Sequence, residues 1–535
     1  MLHHISIRQK IFVMVAVMSG LFLAALDQSI VGTALPKIVN QFHGLSELSW
    51  VVTAYLLSST ITIPISGKLS DIFGRRKMLL TGILIFVIGS MFTGLSWNMT
   101  SLIIFRAIQG IGGGILFSSA FAVIGDLFTP AERPKWQGII GAVWGLSSVV
   151  GPLLGGFLTD HASWRWCFYV NVPFGIIAFA LIFIYLPTIL AKGAQKKIDF
   201  GGAALIATGL ASLLLVLNLG GDKFAWSSMQ SYGLFALGFA LIGYFIYWES
   251  RHEDPIIPLM IFKNSIFRVS IIMLFLVGIA MFGAIIYLPL FAQVVQGASA
   301  TNSGIILLPL VFSLALTSVA SGQIVARTGK YKKIAILGAF LMTGSLFWLS
   351  TISANTSHLQ LIMRMIPLGV GIGITMPLFT LIIQNAFEQK FLGVVSSSSQ
   401  LFRGIGSVVG VAMMGTYLNS QLNTKLGSLS NSTFAQTMSN AGHPVTNLNA
   451  NGLQQLLSPA NQTSILSNIS KAPNHVELTN SFQSFIESAR TALATSLTHV
   501  FLVGACVLVI ACVTVFFLRE IPLRKHSDSK PMSPE

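Results

Sequence analysis

Charge is scarce in this sequence. Only 9% of its 535 residues are Asp, Glu, Lys or Arg, against about 25% in an ordinary soluble domain, so a water-facing surface cannot be built from it. Acids are the rarer sign, with 17 against 32 bases. Cysteine is nearly absent. Cys167, Cys506 and Cys512 are an odd number with no C-x-x-C spacing, which argues against a disulfide framework or a thiolate zinc site. The ten histidines form no H-x-x-x-H pair, so no metal site is expected. G-x-S-x-G and phosphate-cradling loops are also missing, and no soluble domain is left to hold a catalytic centre, so the chain does not read as an enzyme.

What is present is apolar. Hydrophobic residues make up 53% of the chain and mean hydropathy is +0.76. Runs of about 20 apolar residues, each long enough to cross a bilayer, recur fourteen times. The first begins at Ile11 and holds Asp27 where a signal peptidase would need small residues, so it reads as a permanent span. An even number of spans puts both termini on one side. Of the 32 Lys and Arg, 23 fall in segments on that side. The positive-inside rule therefore places both termini in the cytoplasm of a multi-pass plasma-membrane protein, and the net charge of +15 needs no nucleic acid partner.

The chain also repeats. Gly67-Lys-Leu-Ser-Asp71-Ile-Phe-Gly74-Arg75-Arg76-Lys77 returns as Gly322 to Lys332, offset by 255. Arg106 is matched with Arg364, and Gly145 to Gly151 return as Gly404 to Gly410, offset by 259. Nearly equal offsets in three regions imply two parallel six-helix repeats. The fold expected is all-α with fourteen transmembrane helices. Residues 1–187 form the first bundle and 188–267 carry two inserted helices. Residues 268–518 form the second bundle, including an outer loop at 418–492, and 519–535 are a tail. The outer loop is polar, with helical spacing from Val476 to Ala489 that predicts an amphipathic helix leading into the last span.

Parallel six-span halves with G-x-L-x-D-x-x-G-R-R-K between spans two and three resemble the major facilitator superfamily. With fourteen spans, Leu26-Asp27 to Pro36 in the first and Ser163-Trp-Arg-Trp166 before the sixth, the chain is similar to the fourteen-span drug:proton antiporter family of the QacA and EmrB type. That resemblance implies that the loop of Gly67, Asp71, Gly74, Arg75 and Arg76 latches an outward-facing state, with Asp71 at the start of span thirteen and Arg75 near Asp126. The second copy has Ala326 in place of Asp71, so a latch there is lopsided. The resemblance further implies that Gly145 and Gly151-Pro152-x-x-Gly155-Gly156 form the fifth-span antiporter signature, which importers of the superfamily generally lack. Small residues there would let helices approach closely and seal the path against leak.

Asp27 is the one acid that the spans place well inside the bilayer, where a carboxylate is expensive unless paired or protonated. It is either a proton-coupling group, as the resemblance implies, or half of a permanent ion pair. Arg106 matches the fourth-span arginine that the family links to proton transfer, and lies in the same outer half as Asp27. Either it acts on Asp27 or it is tied to backbone carbonyls. A cavity open to many substrates would be apolar with few polar groups. Its candidates are Tyr55, Gln109, Trp144, Phe282, Tyr287, Gln293, Phe379 and Arg403.

The expected function is proton-coupled multidrug efflux of hydrophobic cationic or neutral compounds, by a monomer, driven by the proton gradient without a cofactor. Lack of a second membrane acid makes one proton for one monovalent cation or neutral amphiphile the simplest exchange. The alternative is an exporter or flippase of a lipid or cell-envelope metabolite on the same fold.

Overall fold

In the computed structural model, residues 6–42, 48–129, 132–187, 199–220, 224–298, 300–388, 391–429, 434, 459–470 and 475–522 are described. The first half comprises α1 (Ile7–Phe42), α2 (Leu48–Phe73), α3 (Arg75–Gly94), α4 (Met99–Leu127), α5 (Arg133–His161), the short α6 (Trp166–Tyr169) and α7 (Asn171–Tyr185). Two helices follow, α8 (Phe200–Leu219) and α9 (Met229–Arg251). The second half holds α10 (Ser265–Leu290), α11 (Ala300–Thr328), α12 (Lys332–Leu349), α13 (His358–Ala386) and α14 (Leu392–Leu429). It closes with α15 (Pro459–Ile469) and α16 (His475–Phe516). Among the described residues, fourteen helical segments are long and apolar enough to cross a membrane.

Packing obeys the repeat. The pairs α2–α4, α3–α4, α1–α5, α1–α7 and α3–α7 return as α11–α13, α12–α13, α10–α14, α10–α16 and α12–α16. The reason is visible at the glycines. A Cβ at Gly110 or Gly114 would strike α2, and one at Gly369 or Gly373, each 259 positions on, would strike α11. Gly112 lies against the Gly82 and Phe86 backbones just as Gly371 lies against those of Gly338 and Met342. Side chains this small let helix axes come close enough for dispersion to hold them without a water-driven hydrophobic term.

The halves meet along two seams, α5 with α11 and α2 with α14, which the repeat exchanges. Gly145 of α5 sits against Ala315 of α11 (3.1 Å to a Cβ built on the glycine), and Gly404 of α14 sits against Thr60 of α2 at the same 3.1 Å. Thr60 and Ala315 are themselves 255 apart. A pseudo-two-fold axis therefore passes between α5 and α14 at the level of residues 144–145 and 403–404. Of the inserted pair, α8 packs on both α2 and α14, while α9 packs on α8.

Three sequence expectations change. The sixth span breaks at Val170 into α6 and α7. Within the outer loop expected at 418–492, α16 begins at His475 and so contains the amphipathic helix expected from Val476 to Ala489, whereas α14 runs on to Leu429, beyond its expected end. The α14 extension is polar enough to read as loop, yet it carries buried Leu422; the outward part of α16 buries Phe482, Phe485 and Ile486, and Phe434 packs its ring 5.1 Å from that of Phe482. Arg364, matched with Arg106 at an offset of 258, is one residue out of the 259 register that the α13 glycines keep. One residue turns a helix by about 100°, so buried Met365 takes the place of Arg106. Arg364 is instead half-buried beside the exposed Trp348, 6.0 Å from its ring.

The loop between α11 and α12 is held in a manner the sequence does not announce. Tyr331, fully buried, donates its hydroxyl to the Arg519 carbonyl (3.2 Å) and accepts from the Ile521 amide (2.8 Å), while its own amide donates to Glu520 (2.8 Å). Burial pushes the phenol up to about 12, so it keeps its donor proton at physiological pH. Tyr331→Phe removes both hydroxyl bonds at a cost of about 1–2 kcal/mol. Trypsin is expected to cut after Arg519 about tenfold faster in this variant; an unchanged cleavage rate would show that the tail is held elsewhere.

Candidate proton-coupling site and gating loop

The first span delivers Asp27 to a closed polar cluster. Its Oδ2 lies 2.5 Å from Arg106 Nη1 of α4, and its Oδ1 accepts from Gln109 Nε2 and from Asn171 Nδ2, both at 2.9 Å. Gln109, three residues after Arg106 on the same helix face, also accepts from Arg106 Nη1 at 2.8 Å. Arg106 Nε donates to the Val51 carbonyl (3.1 Å), and its guanidinium lies over the Tyr55 ring (4.5 Å). Asn171, the first residue of α7, also donates to Ser90 Oγ (3.0 Å), whose hydroxyl donates to the Phe168 carbonyl (2.9 Å). Asp27, Gln109 and Asn171 have zero exposure and Arg106 has 1%.

The two readings of Asp27 and Arg106 thus meet in one arrangement: Arg106 is bound both to the carboxylate and to a carbonyl. Two ions leave water here at several kcal/mol each, and only close pairing with full hydrogen bonding offsets that. Gln109 and Tyr55, expected along a substrate cavity, belong to this cluster instead: one bridges the ion pair and the other roofs the guanidinium. Asn171 and Ser90 were not singled out in the sequence, since a lone Asn after Ser-Trp-Arg-Trp carries no spacing signal.

At the end of the bundle that holds the termini, the loop residues lock the halves together. Gly74, with φ of 91°, is the whole connection between α2 and α3, a conformation that only glycine adopts freely. It turns Arg75 back into the bundle, where Nε bonds Asp126 Oδ2 of α4 (2.7 Å), Nη2 meets Asp71 Oδ1 (2.5 Å) and Nη1 donates to Ser70 (2.8 Å). Both Asp71 oxygens press on Gly393 in the first turn of α14, where any Cβ would collide with them, and a Cβ at Gly67 would collide with Ser397. A carboxylate at a helix N-terminus is favourable. Arg76 points away from this lock, donating to the Phe183 carbonyl of α7. Lys68, in the same loop, pairs with Asp254 of the segment after α9, which ties the inserted helices to the loop.

Polar residues that the sequence reading passed over complete the lock. Arg133 donates to the carbonyls of Gly125 (2.8 Å) and Phe128 (3.1 Å) at the end of α4, and to that of Gln384 in α13 (3.3 Å). Gln137 Nε2 donates to Gln384 Oε1 (2.9 Å), and Gln384 Nε2 to the Phe121 carbonyl (3.2 Å). These are contacts across about 250 residues of sequence, which no local pattern encodes.

In the fifth-span signature, Gly151 presses on Ser29 of α1, whose hydroxyl donates to the Ser147 carbonyl (2.8 Å). Gly145 faces α11, and Pro152 comes within 3.8 Å of a Cβ built on Gly304 of the same helix. The Gly155 carbonyl accepts from Cys167. Gly156 is a correction, because among the described residues nothing lies within 4 Å of where its Cβ would be, so it makes none of the close approaches expected of it. Among the cavity candidates, Phe379 is wholly enclosed, and Tyr287 is buried with its hydroxyl donating to the Val411 carbonyl (3.3 Å). Trp144 stacks on Phe117 (5.3 Å) and faces Arg403. The side chains of Phe282 and Gln293 lie outside the described residues.

Comparison with known proteins agrees with this geometry. The family model described as Major Facilitator Superfamily matches residues 17–411. The chain belongs to the major facilitator superfamily. Within it, the multidrug transporter protein MdtP of Bacillus subtilis is 41% identical over 518 residues, covering 94% of this chain and 92% of that protein. Multidrug resistance protein 3 of the same organism is 34% identical over 517 residues, covering 97% and 96%. Among solved structures, the human organic anion transporter MFSD10 superposes with a TM-score of 0.59 at 14% identity, over 93% of this chain and 99% of that one, a likeness of fold alone. The chain is a multi-pass membrane transporter of this superfamily.

Two measurements test the site. Arg106→Met strands a buried carboxylate and is expected to cost about 3 kcal/mol, whereas Asp27→Leu combined with Arg106→Met recovers most of it; additive losses in thermal unfolding would mean the pair is not coupled. At the lock, a Cβ built on Gly125 lies 3.6 Å from Leu392 Cβ, within disulfide reach. Gly125→Cys with Leu392→Cys, in a chain cleared of its own three cysteines, is expected to lose maleimide labelling on mild oxidation. Persistent labelling would place the halves further apart.

Proposed function

We propose that this chain is a secondary exporter that exchanges external protons for hydrophobic small molecules, with both termini in the cytoplasm, acting as a monomer and without a cofactor. The observation that carries the reading is the buried Asp27–Arg106–Gln109–Asn171 cluster, with the termini end of the bundle locked by Asp71, Arg75 and Asp126. The names of the two Bacillus subtilis relatives support drug efflux as the outcome, and the fifth-span signature supports the outward direction.

The mechanism follows from the two-state logic of such halves. A ligand shifts a conformational equilibrium only by its differential affinity for the states. The proton favours whichever state lets Asp27 reach outside water and release Arg106. With the carboxyl neutral, the guanidinium keeps Val51, Gln109 and the Tyr55 ring, so it remains solvated by the protein while the ion pair is open. Rocking to the inward state requires the Asp71–Gly393 and Arg133–Gln384 contacts to part. There the carboxyl gives its proton to the cytoplasm and the substrate enters.

The test uses energised inverted vesicles from an efflux-deficient host. Added hydrophobic drugs are expected to dissipate the pH gradient with the parent chain and to leave it intact with Asp27→Asn. Equal dissipation by the variant, or no response to any compound, overturns proton exchange at Asp27. Undiminished coupled transport by Arg106→Ala would remove Arg106 from the scheme.

A further inference from the structure

The repeat places two unlike residues at matching positions. Trp144 of α5 and Arg403 of α14 are 259 apart, the same offset that relates Gly145 to Gly404. They face each other, with the guanidinium carbon 5.8 Å from the indole ring. Residues at equivalent positions touch only where the pseudo-two-fold axis runs between them, so the pair marks the centre of the transporter. Each lies 11 residues into its helix from the termini end, about 16 Å along, which is about half of a hydrocarbon core of about 30 Å.

Three donor atoms assembled here, both Arg403 Nη and Trp144 Nε1, have no acceptor among the described residues. Arg403 is 6% exposed. Its Nε is held by Gln400 Oε1 one turn earlier (3.0 Å), and among the described residues neither Nη has a hydrogen-bond or carboxylate partner. The Trp144 ring is 92% enclosed and fixed by stacking on Phe117 (5.3 Å, 19°), yet among the described residues its Nε1–H is also unpartnered. A buried arginine ordinarily finds an anion or several carbonyls, as Arg75, Arg106 and Arg133 do in this same chain. The Asp27–Arg106 pair has no net charge, so among the described residues Arg403 leaves the centre of the bundle positive.

We propose that Arg403 and Trp144 anchor an anionic group, of the carboxylate or phenolate class, on a hydrophobic substrate. The anion supplies the missing acceptors and the missing counter-charge. A cation brought to the same place meets like charge and no acceptor. This rests on the export reading above, and moves its substrate class from cationic or neutral compounds towards hydrophobic acids.

The probes are anthracene-9-carboxylate, anthracene-9-carboxamide and anthracen-9-ylmethylammonium, which share one ring and differ in charge. Binding to the purified full chain in neutral detergent is followed by probe fluorescence, and exchange by uptake into proteoliposomes under a pH gradient. The carboxylate is expected to bind about tenfold or more tighter than the ammonium compound, and Arg403→Gln to weaken carboxylate binding about tenfold or more, the range for losing a charge-assisted bond. Carboxamide binding stays within about twofold in that variant, which separates loss of the anchor from misfolding. Arg403→Lys restores part of the carboxylate affinity, and Trp144→Phe, which keeps the stack and loses the N–H, weakens it by less than Arg403→Gln does. Carboxylate binding equal in parent and Arg403→Gln, or a parent that prefers the ammonium probe, overturns the anchor. If the carboxylate binds through Arg403 but no probe moves under the gradient, the export reading falls and the anchor stands. If only the ammonium probe exchanges for protons, the reverse holds.

Discussion

A charge cannot sit alone in a dry interior. That constraint organises the first half of this protein around the contact between Asp27 and Arg106. Neither group is tolerable without the other, so α1 and α4 are held in register, Gln109 is drawn between them, and Asn171 at the head of α7 supplies a third donor to the carboxylate. Neutralising Asp27 while the cluster stays shut would leave the guanidinium charged and its counter-ion gone, at a cost of several kcal/mol. On the proposed scheme, protonation of Asp27 is therefore coupled to opening of this cluster.

The repeat supplies the frame and the divergence between copies supplies the chemistry. Glycines at matching positions set the same close helix approaches in both halves. Against that shared frame the polar residues differ. Met365 stands where the first half has Arg106, Ala326 where it has Asp71, and Arg403 where it has Trp144. The second half fastens its α11–α12 loop to its own tail through Tyr331, whereas the first fastens its α2–α3 loop across to α14. One lock joins the two halves and the other is internal to the second, so rocking needs only the first to be broken.

Much of this was legible in the sequence because it rests on expensive residues at fixed spacing. A carboxylate and an arginine inside apolar runs, glycines in step with a repeat, and a one-residue turn ahead of Arg75 each have few physical excuses. What escaped notice was cheap or distant. Asn171, Ser90 and Gln384 are ordinary polar residues whose meaning comes from partners far along the chain. Gln109 and Tyr55 were assigned to a cavity because polar and aromatic residues suit both a cavity and an ion cluster, and composition cannot separate the two. Arg364 looks like the counterpart of Arg106 in the sequence, but a shift of one residue rotates its side chain out of the core. The outward end of α16 is legible as an amphipathic helix, whereas that of α14 reads as loop because its apolar residues are few and cover one face only.

Those outward ends alter the mechanics of the whole. α16 has 42 residues, about 63 Å of unbroken helix, roughly twice the hydrocarbon thickness. Its inner part packs on α10, α12 and α14, so it must tilt with the second half. A helix that projects about 30 Å beyond the hydrocarbon core moves at its tip by about half an ångström for each degree of rocking at its root. The second half thus carries its own pointer, on which each degree of rotation at the root would be read out as a displacement of about half an ångström on the far side of the membrane.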